Sequence, residues 1–226
     1  MTGVDGTLLG ERIDIFLDAE AMAVGALRAY FASGDYTGQW FETLGGGGRL
    51  QPYRITSDDL VALALLGVSV RHRAAKELLV VPDNGIEECL RDVGSPGIAL
   101  WDCDAERLIG QSGPGERLWN RIREVPGFGD TRTNKLLARK RPELFPVWDK
   151  VIQKALNPPK HDFWRPLRDA LVEDGMHRVE RLRTLRGLAG IDDVSLLRVL
   201  DVVIWMRNHG ARQVCRHARW FDPALC

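Results

Sequence analysis

Apolar positions recur at helical spacing along most of the chain. Ile13, Phe16, Leu17, Val24, Leu27 and Phe31 fall on one face of a first helix that the spacing carries to about residue 33. Ser33-Gly-Asp-Tyr-Thr-Gly38 punctuates that stripe. Trp40, Phe41 and Leu44 follow, and the glycine run at 45–48 is predicted to end regular structure. Thr56 or Ser57 is placed to cap a helix through Leu60, Leu63, Ala64 and Leu66, with further helices expected near 74–80 and 86–93. Residues 94–115 contain Ser-Pro-Gly and Gly-Pro-Gly and read as loop with one short helix. Leu118, Ile122 and Val125 resume the helical stripe, two more helices reach residue 156 across Pro142 and Pro146, and 157–160 is a turn or linker. Helices near 164–173, 176–186 and 195–208 complete the chain, the last with Ser195 as its cap. No alternating stretch long enough for a strand appears, so the predicted class is all-α.

Composition narrows the possibilities. The chain has 226 residues, 45% of them hydrophobic and 27% charged, which suits one domain or two small lobes and is too apolar for a disordered chain. The apolar runs at 60–70 and 196–206 fall short of the roughly 18 residues a membrane helix needs. Residues 1–20 lack the basic start and apolar core of a secretory signal, so a cytoplasmic protein is expected. Cys89, Cys103, Cys215 and Cys226 form no CxxC pair, and His161, His177, His209 and His217 share no ligand spacing. No metal site and no cofactor is expected.

Charge changes the picture only when it is divided. Lys and Arg total 31 against 31 Asp and Glu, a balance that by itself argues against a nucleic-acid partner. Residues 1–100 carry 8 basic and 14 acidic side chains, whereas 101–226 carry 23 and 17. Within the second half, 117–168 holds 13 basic residues against 5 acidic ones. That local excess suits a polyanion, although solvated helix faces produce the same numbers.

The most informative stretch is 116–156. An amphipathic helix stops at Val125-Pro126, Gly127-Phe128-Gly129 makes a tight turn with Phe128 as its apolar plug, and a new helix starts at about Asp130. Glycines allow close backbone approach, and free amides at a helix start favour phosphate. Arg132, Lys135, Arg139, Lys140 and Arg141 follow as candidate cations beside those amides. A helical corner of any kind can carry Pro-Gly-x-Gly, but here it is followed by Pro142, by Phe145-Pro146-Val147, and by Asp149 opening the next helix 20 positions after Gly129.

In these roughly forty residues the sequence resembles the helix-hairpin-helix base-excision DNA glycosylase superfamily. The stretch Leu-Leu-Ala-Arg-Lys-Arg-Pro is also similar to the core of an uncharacterised, mostly actinobacterial family. The superfamily resemblance implies a two-lobed helical fold with a cleft, one lobe at about 55–147 and the other combining 1–54 with 149–226. It implies double-stranded DNA as partner, bound by a monomer through Gly127, Phe128, Gly129, Thr131, Arg132, Lys135 and Arg139, with no membrane partner. Asp149 matches the catalytic aspartate and would stabilise a cationic sugar while water displaces the base, a role compatible with capping a helix. Thr131 stands where bifunctional members carry a lysine nucleophile, so a hydrolase without lyase activity is implied. The four-cysteine cluster of some members is absent.

For the extruded base, Tyr36, Trp40 and Glu42 in the loop before the glycine run and Trp148 beside Asp149 are the candidate pocket residues. The resemblance implies a damaged base as substrate, and the unusual glycine loop suggests instead a modified base in foreign DNA, such as that of a phage. A non-catalytic hairpin module that only binds DNA is the alternative. Trp205 is expected in the core, with Asp201 paired to Arg198.

Overall fold

The computed structural model of the chain describes residues 3–158 and 163–210. Every regular element among them is helical: α1 (Gly3–Leu17), α2 (Glu20–Ala32), α3 (Gly47–Leu50), α4 (Ser57–Leu65), α5 (His72–Leu79), α6 (Ile86–Val93), α7 (Ala105–Ile109), α8 (Pro114–Arg123), α9 (Asp130–Lys140), α10 (Lys150–Leu156), α11 (Trp164–Val172), α12 (His177–Ala189) and α13 (Leu196–Trp205). Tight 3-10 turns at Thr37–Trp40 and Leu44–Gly46 precede α3, and a π-helical turn, Met206–Gly210, follows α13. Cys215, Cys226, His161 and His217 lie outside the described residues. Cys89 and Cys103 are free thiols.

Local chemistry sets several boundaries. Thr56 opens α4 with a reciprocal cap: the Asp59 amide donates to Thr56 Oγ1 at 3.3 Å, and the Thr56 amide donates to Asp59 Oδ2 at 3.0 Å. Ser195 opens α13, its Oγ accepting from the Arg198 amide at 3.1 Å. The first apolar stripe is two helices rather than one. Arg181 of α12 donates to the Leu17 carbonyl at 2.7 Å and pairs with Asp18 at 2.6 Å, and Arg207 donates to the Ile15 carbonyl. These arginines satisfy carbonyls at the end of α1, so the chain turns at Asp18–Ala19 without leaving them bare.

The principal packings fall into two sets. α1, α2 and α10–α13 pack on one another, and α3, α4 and α6–α9 do likewise, with α7 touching α11. A continuous apolar core runs through both, from Leu9, Ile13 and Leu17 to Leu118, Ile122, Leu136 and Leu137 and on to Val199–Ile204. Burying one such Leu or Ile is worth about 1.5–3 kcal/mol. Phe128 is buried between α8 and α9, as the turn pattern predicts.

The basic residues of α9 lie inside this body. Arg139, Lys140 and Arg141 are each no more than 1% exposed. Asp59 accepts from Arg139 Nε at 3.0 Å and from Lys140 Nζ at 2.9 Å, and Arg139 also donates to the carbonyls of Phe41 and Leu44. Lys140 Nζ reaches the Gln51 carbonyl at 2.8 Å. Arg141 reaches Pro52 at 2.8 Å and Leu90 at 2.6 Å. Burial lowers the Lys140 ammonium and brings Arg141 down to about 10, with Asp59 opposing for Lys140 and Tyr53 for Arg141. Three cations therefore anchor the 41–52 loop and the end of α6.

That anchoring explains the glycine run. A β-carbon on Gly48 would stand 2.3 Å from the Arg139 carbonyl oxygen, so the loop lies against the α9 backbone. Gly45, Gly46 and Gly47 all take positive φ, which a loop this tight requires. The run is packed, helical structure, whereas the glycines were predicted to end regular structure. Together with α3 it sits on α9 rather than with the N-terminal helices.

Candidate functional site

α8 and α9 pack together across the turn at 124–129. Gly127 has φ +85°, with no atom within 4 Å of where a β-carbon would stand, so it serves backbone shape rather than close packing. The Phe128 amide donates to the Val125 carbonyl at 2.9 Å, closing the turn. Gly129 is the N-cap of α9 and provides no side-chain cap. Amides at the start of α9 are thus left for an outside acceptor or solvent. Asp130 in this first turn is engaged by Arg123 at 2.7 Å. Thr131 is exposed on the same turn.

The candidate cations divide. Arg132 stays at the corner, donating from Nη1 to the Gly127 carbonyl at 3.0 Å and from Nε to the Ser69 carbonyl at 2.9 Å. Lys135, only 5% exposed, turns inward and donates to the Leu66 carbonyl at 2.9 Å. Arg139 is wholly inside. The expectation that Lys135 and Arg139 clamp a phosphate is therefore corrected: both side chains are spent on protein acceptors, away from solvent.

Asp149 is the N-cap of α10. Its Oδ1 accepts from the amides of Val151 at 2.8 Å and Ile152 at 3.1 Å, so Oδ2 takes no part in the cap. Two ionisable groups from other helices feel its charge. Burial lowers the Lys135 ammonium, and Asp149 and Asp201 oppose that. Burial also raises Asp201 to about 6, with Arg198 pulling down and Asp149 pushing further up. α10 packs on α13, and the charges of Asp149, Asp201 and Lys135 act on one another although the sequence separates them by up to 66 positions.

Of the proposed pocket residues, Trp148 is the sequence neighbour of Asp149, and Tyr36 and Glu42 have partners of their own. Tyr36 stacks on Tyr30 with centroids 5.0 Å apart and meets Trp205 edge-on at 6.0 Å. Glu42 accepts from the Ser195 amide at 2.8 Å and from its hydroxyl at 2.6 Å. Burial raises the Glu42 carboxyl, while those two bonds pull it down. Tyr36 and Glu42 thus contribute to packing and to the start of α13. Trp40 is 47% exposed and free of such duty. Trp148 stacks on Phe163 at 3.8 Å, adjacent to Asp149.

Sequence reasoning missed the inward turn of α9 and the proximity of Asp201 to Asp149. The one signal for the latter was an Asp inside the apolar 196–206 run. Arg198 pairs with Asp201, as their spacing predicts, and also donates to the Tyr30 hydroxyl at 2.7 Å. A separate depression of about 440 Å³ is lined by Asp14, Asp18, Asp174, His177, Arg178 and Arg181. Its Arg178 holds Asp14 at 2.7 Å and its Arg181 holds Asp18 at 2.6 Å. Among the described residues, no group of three or more His, Cys, Asp or Glu side chains is arranged to hold a metal ion, and no helix is long and apolar enough to cross a membrane.

An all-helical body with a glycine corner and a capped carboxylate is the class of protein on view. The chain belongs to the DUF6308 family, described as a family of unknown function, whose pattern matches residues 23–208. No curated protein and no solved structure matches it.

Proposed function

We propose that the protein is a monofunctional DNA glycosylase, hydrolysing the bond between a base and its deoxyribose. In this reading the α8–α9 corner is a helix-hairpin-helix that grips the DNA backbone through amides without reading sequence. The two sets of packed helices are the two lobes, and Asp149 stands at the cleft between them. The observation that carries the reading is Asp149 itself. It is a carboxylate fixed by its cap through one oxygen, with groups from α9 and α13 in electrostatic reach.

The chemistry follows from that arrangement. As the base departs with the bonding electron pair, positive charge builds on the sugar, and a preorganised carboxylate stabilises it. Water then adds its oxygen to the anomeric carbon, one of its protons is lost, and the departing base takes up a proton. An abasic site remains. Thr131 offers no amine to attack the sugar, and the Lys135 amine is committed to the Leu66 carbonyl, so no strand nick is expected. Because the glycine loop is accounted for by its packing on α9, it lends no support to a modified foreign base as substrate.

A second reading, a DNA-binding module without catalysis, is favoured by one observation: Asp149 already has a complete structural role as a cap. One assay separates the two. Duplexes bearing alkylated, oxidised, deaminated or hypermodified bases are incubated with the protein and treated with alkali. Alkali-dependent cleavage that disappears in Asp149→Asn supports the enzyme, since Asn caps helices about as well as Asp. Salt-dependent binding without cleavage of any substrate leaves the module, and no DNA affinity at low salt removes both. Borohydride should trap no covalent adduct.

A further inference from the structure

With Lys135 and Arg139 turned inward, a different set of cations stands at the corner. Residues 69–76 read Ser-Val-Arg-His-Arg-Ala-Ala-Lys, with no acidic residue. Arg71, His72, Arg73 and Lys76 are all exposed, and among the described residues none takes part in a salt bridge. This segment is tied to the glycine corner. The Arg132 guanidinium spans the Ser69 and Gly127 carbonyls at 2.9 and 3.0 Å, and Lys135 holds the Leu66 carbonyl at 2.9 Å. Two side chains three residues apart on α9 therefore fix the approach to α5 beside the start of α9.

The placement of the two arginines works against the helix that carries them, whereas Lys76 stands in its last turn, where a cation is favoured. Arg71 is the N-cap of α5, His72 and Arg73 open its first turn, no acidic residue lies in that turn, and no side chain caps it. The positive end of a helix dipole disfavours cations. α4, α6 and α9 follow the opposite rule, each with an acidic residue in the first turn. Local stability of α5 thus does not account for Arg71 and Arg73.

We propose that Arg71, Arg73 and Lys76 form, with the α8–α9 corner, one continuous contact for the sugar-phosphate backbone of duplex DNA. This rests on the DNA reading above and adds the residues that supply its charge. The chemistry favours a duplex over a single strand. The segment offers point charges on a fixed helix, and it lacks the Phe, Tyr or Trp platforms on which unpaired bases stack. Asp130 does not neutralise the surface, because Arg123 engages it.

The test is fluorescence anisotropy of the full chain with a short fluorescein-labelled DNA duplex across a salt series. The triple variant Arg71→Gln/Arg73→Gln/Lys76→Gln should flatten the slope of log affinity against log salt by about 2 to 3, near 0.9 for each phosphate that is no longer neutralised. Its affinity at low salt should fall about 10- to 100-fold. Its urea midpoint should change little, because two cations leave the positive end of the helix while one leaves the negative end. Arg183→Gln, on an exposed face of α12, should leave the slope alone. A triple variant with wild-type slope and affinity would overturn the proposal, as would a loss confined to a duplex RNA probe. Thr131→Glu separates this failure from that of the parent reading. If it abolishes binding while the triple variant binds normally, the corner holds DNA and this surface does not. If the wild-type chain binds no duplex at low salt, both ideas fall.

Discussion

Two basic stretches with nearly the same look in sequence have opposite roles in the fold. Arg71-His-Arg-Ala-Ala-Lys76 lies open on α5, and Arg139-Lys-Arg141 is sealed within the body at the end of α9. In α9 the basic residues occupy the last turn, where the helix dipole favours them, and Asp130 occupies the first. In α5 Arg71 and Arg73 stand at the unfavourable end, and only Lys76 lies in the last turn. The buried set is held by Asp59 and by backbone carbonyls, whereas the exposed set is left to solvent. A charge run thus announces a polyanion surface only when its own helix and neighbours leave it unspent.

The sharpest way to break this comparison is to treat the two stretches alike. Arg139→Met should lower the unfolding free energy by about 3–5 kcal/mol, because Asp59 is left with Lys140 alone and two carbonyls lose their partner in the interior. Urea denaturation reads this directly. The fraction that remains folded should bind DNA with the wild-type salt slope; a loss of affinity at unchanged stability would return Arg139 to the surface.

Interior charges should also answer to pH where exposed ones answer to salt. The folded chain holds the Asp201 proton more tightly than the unfolded chain does, since burial first and Asp149 second raise that carboxyl from 3.8 to about 6. The stability contributed by this group is therefore fully present below pH 3.8 and is lost as pH rises through about 6. The span corresponds to about 3 kcal/mol. Denaturant midpoints across this window should fall in the wild type and stay flatter in Asp201→Asn.

Glycines divide in the same way. Gly48→Ala drives a methyl group into the α9 backbone and should cost about 1–3 kcal/mol. Gly127→Ala meets no neighbour and bears only the strain of its positive φ, about 1 kcal/mol. Equal thermal shifts for the two would mean that the glycine loop is not packed against α9. The smallest expected effect on stability is at the candidate catalytic carboxylate. Asp149→Asn should change the unfolding free energy by less than about 0.5 kcal/mol while removing base excision, because the cap survives and the charge does not.

Much of the helical framework was legible in the chain. The caps at Thr56 and Ser195, the stop at Val125-Pro126, the Phe128 plug and the Arg198–Asp201 pair all rest on contacts within a few residues. Local rules decide such features. The break between α1 and α2 was not legible, because the partners of its carbonyls are Arg181 and Arg207, more than 160 positions away. The partners of Tyr36 and Glu42 were not legible for the same reason: Ser195 and Trp205 come from the far end of the chain.

By itself, then, the sequence determined the helical class, the caps and turns, and the 20-position spacing that sets Asp149 behind the glycine corner. Helical periodicity, capping and glycine conformation act within a few residues of one another, so they can be read in line. Which charges face water was decided only by the tertiary structure. A helix turns a face every 3.6 residues, and whether that face meets a carboxylate such as Asp59 or open solvent depends on which distant segment packs there.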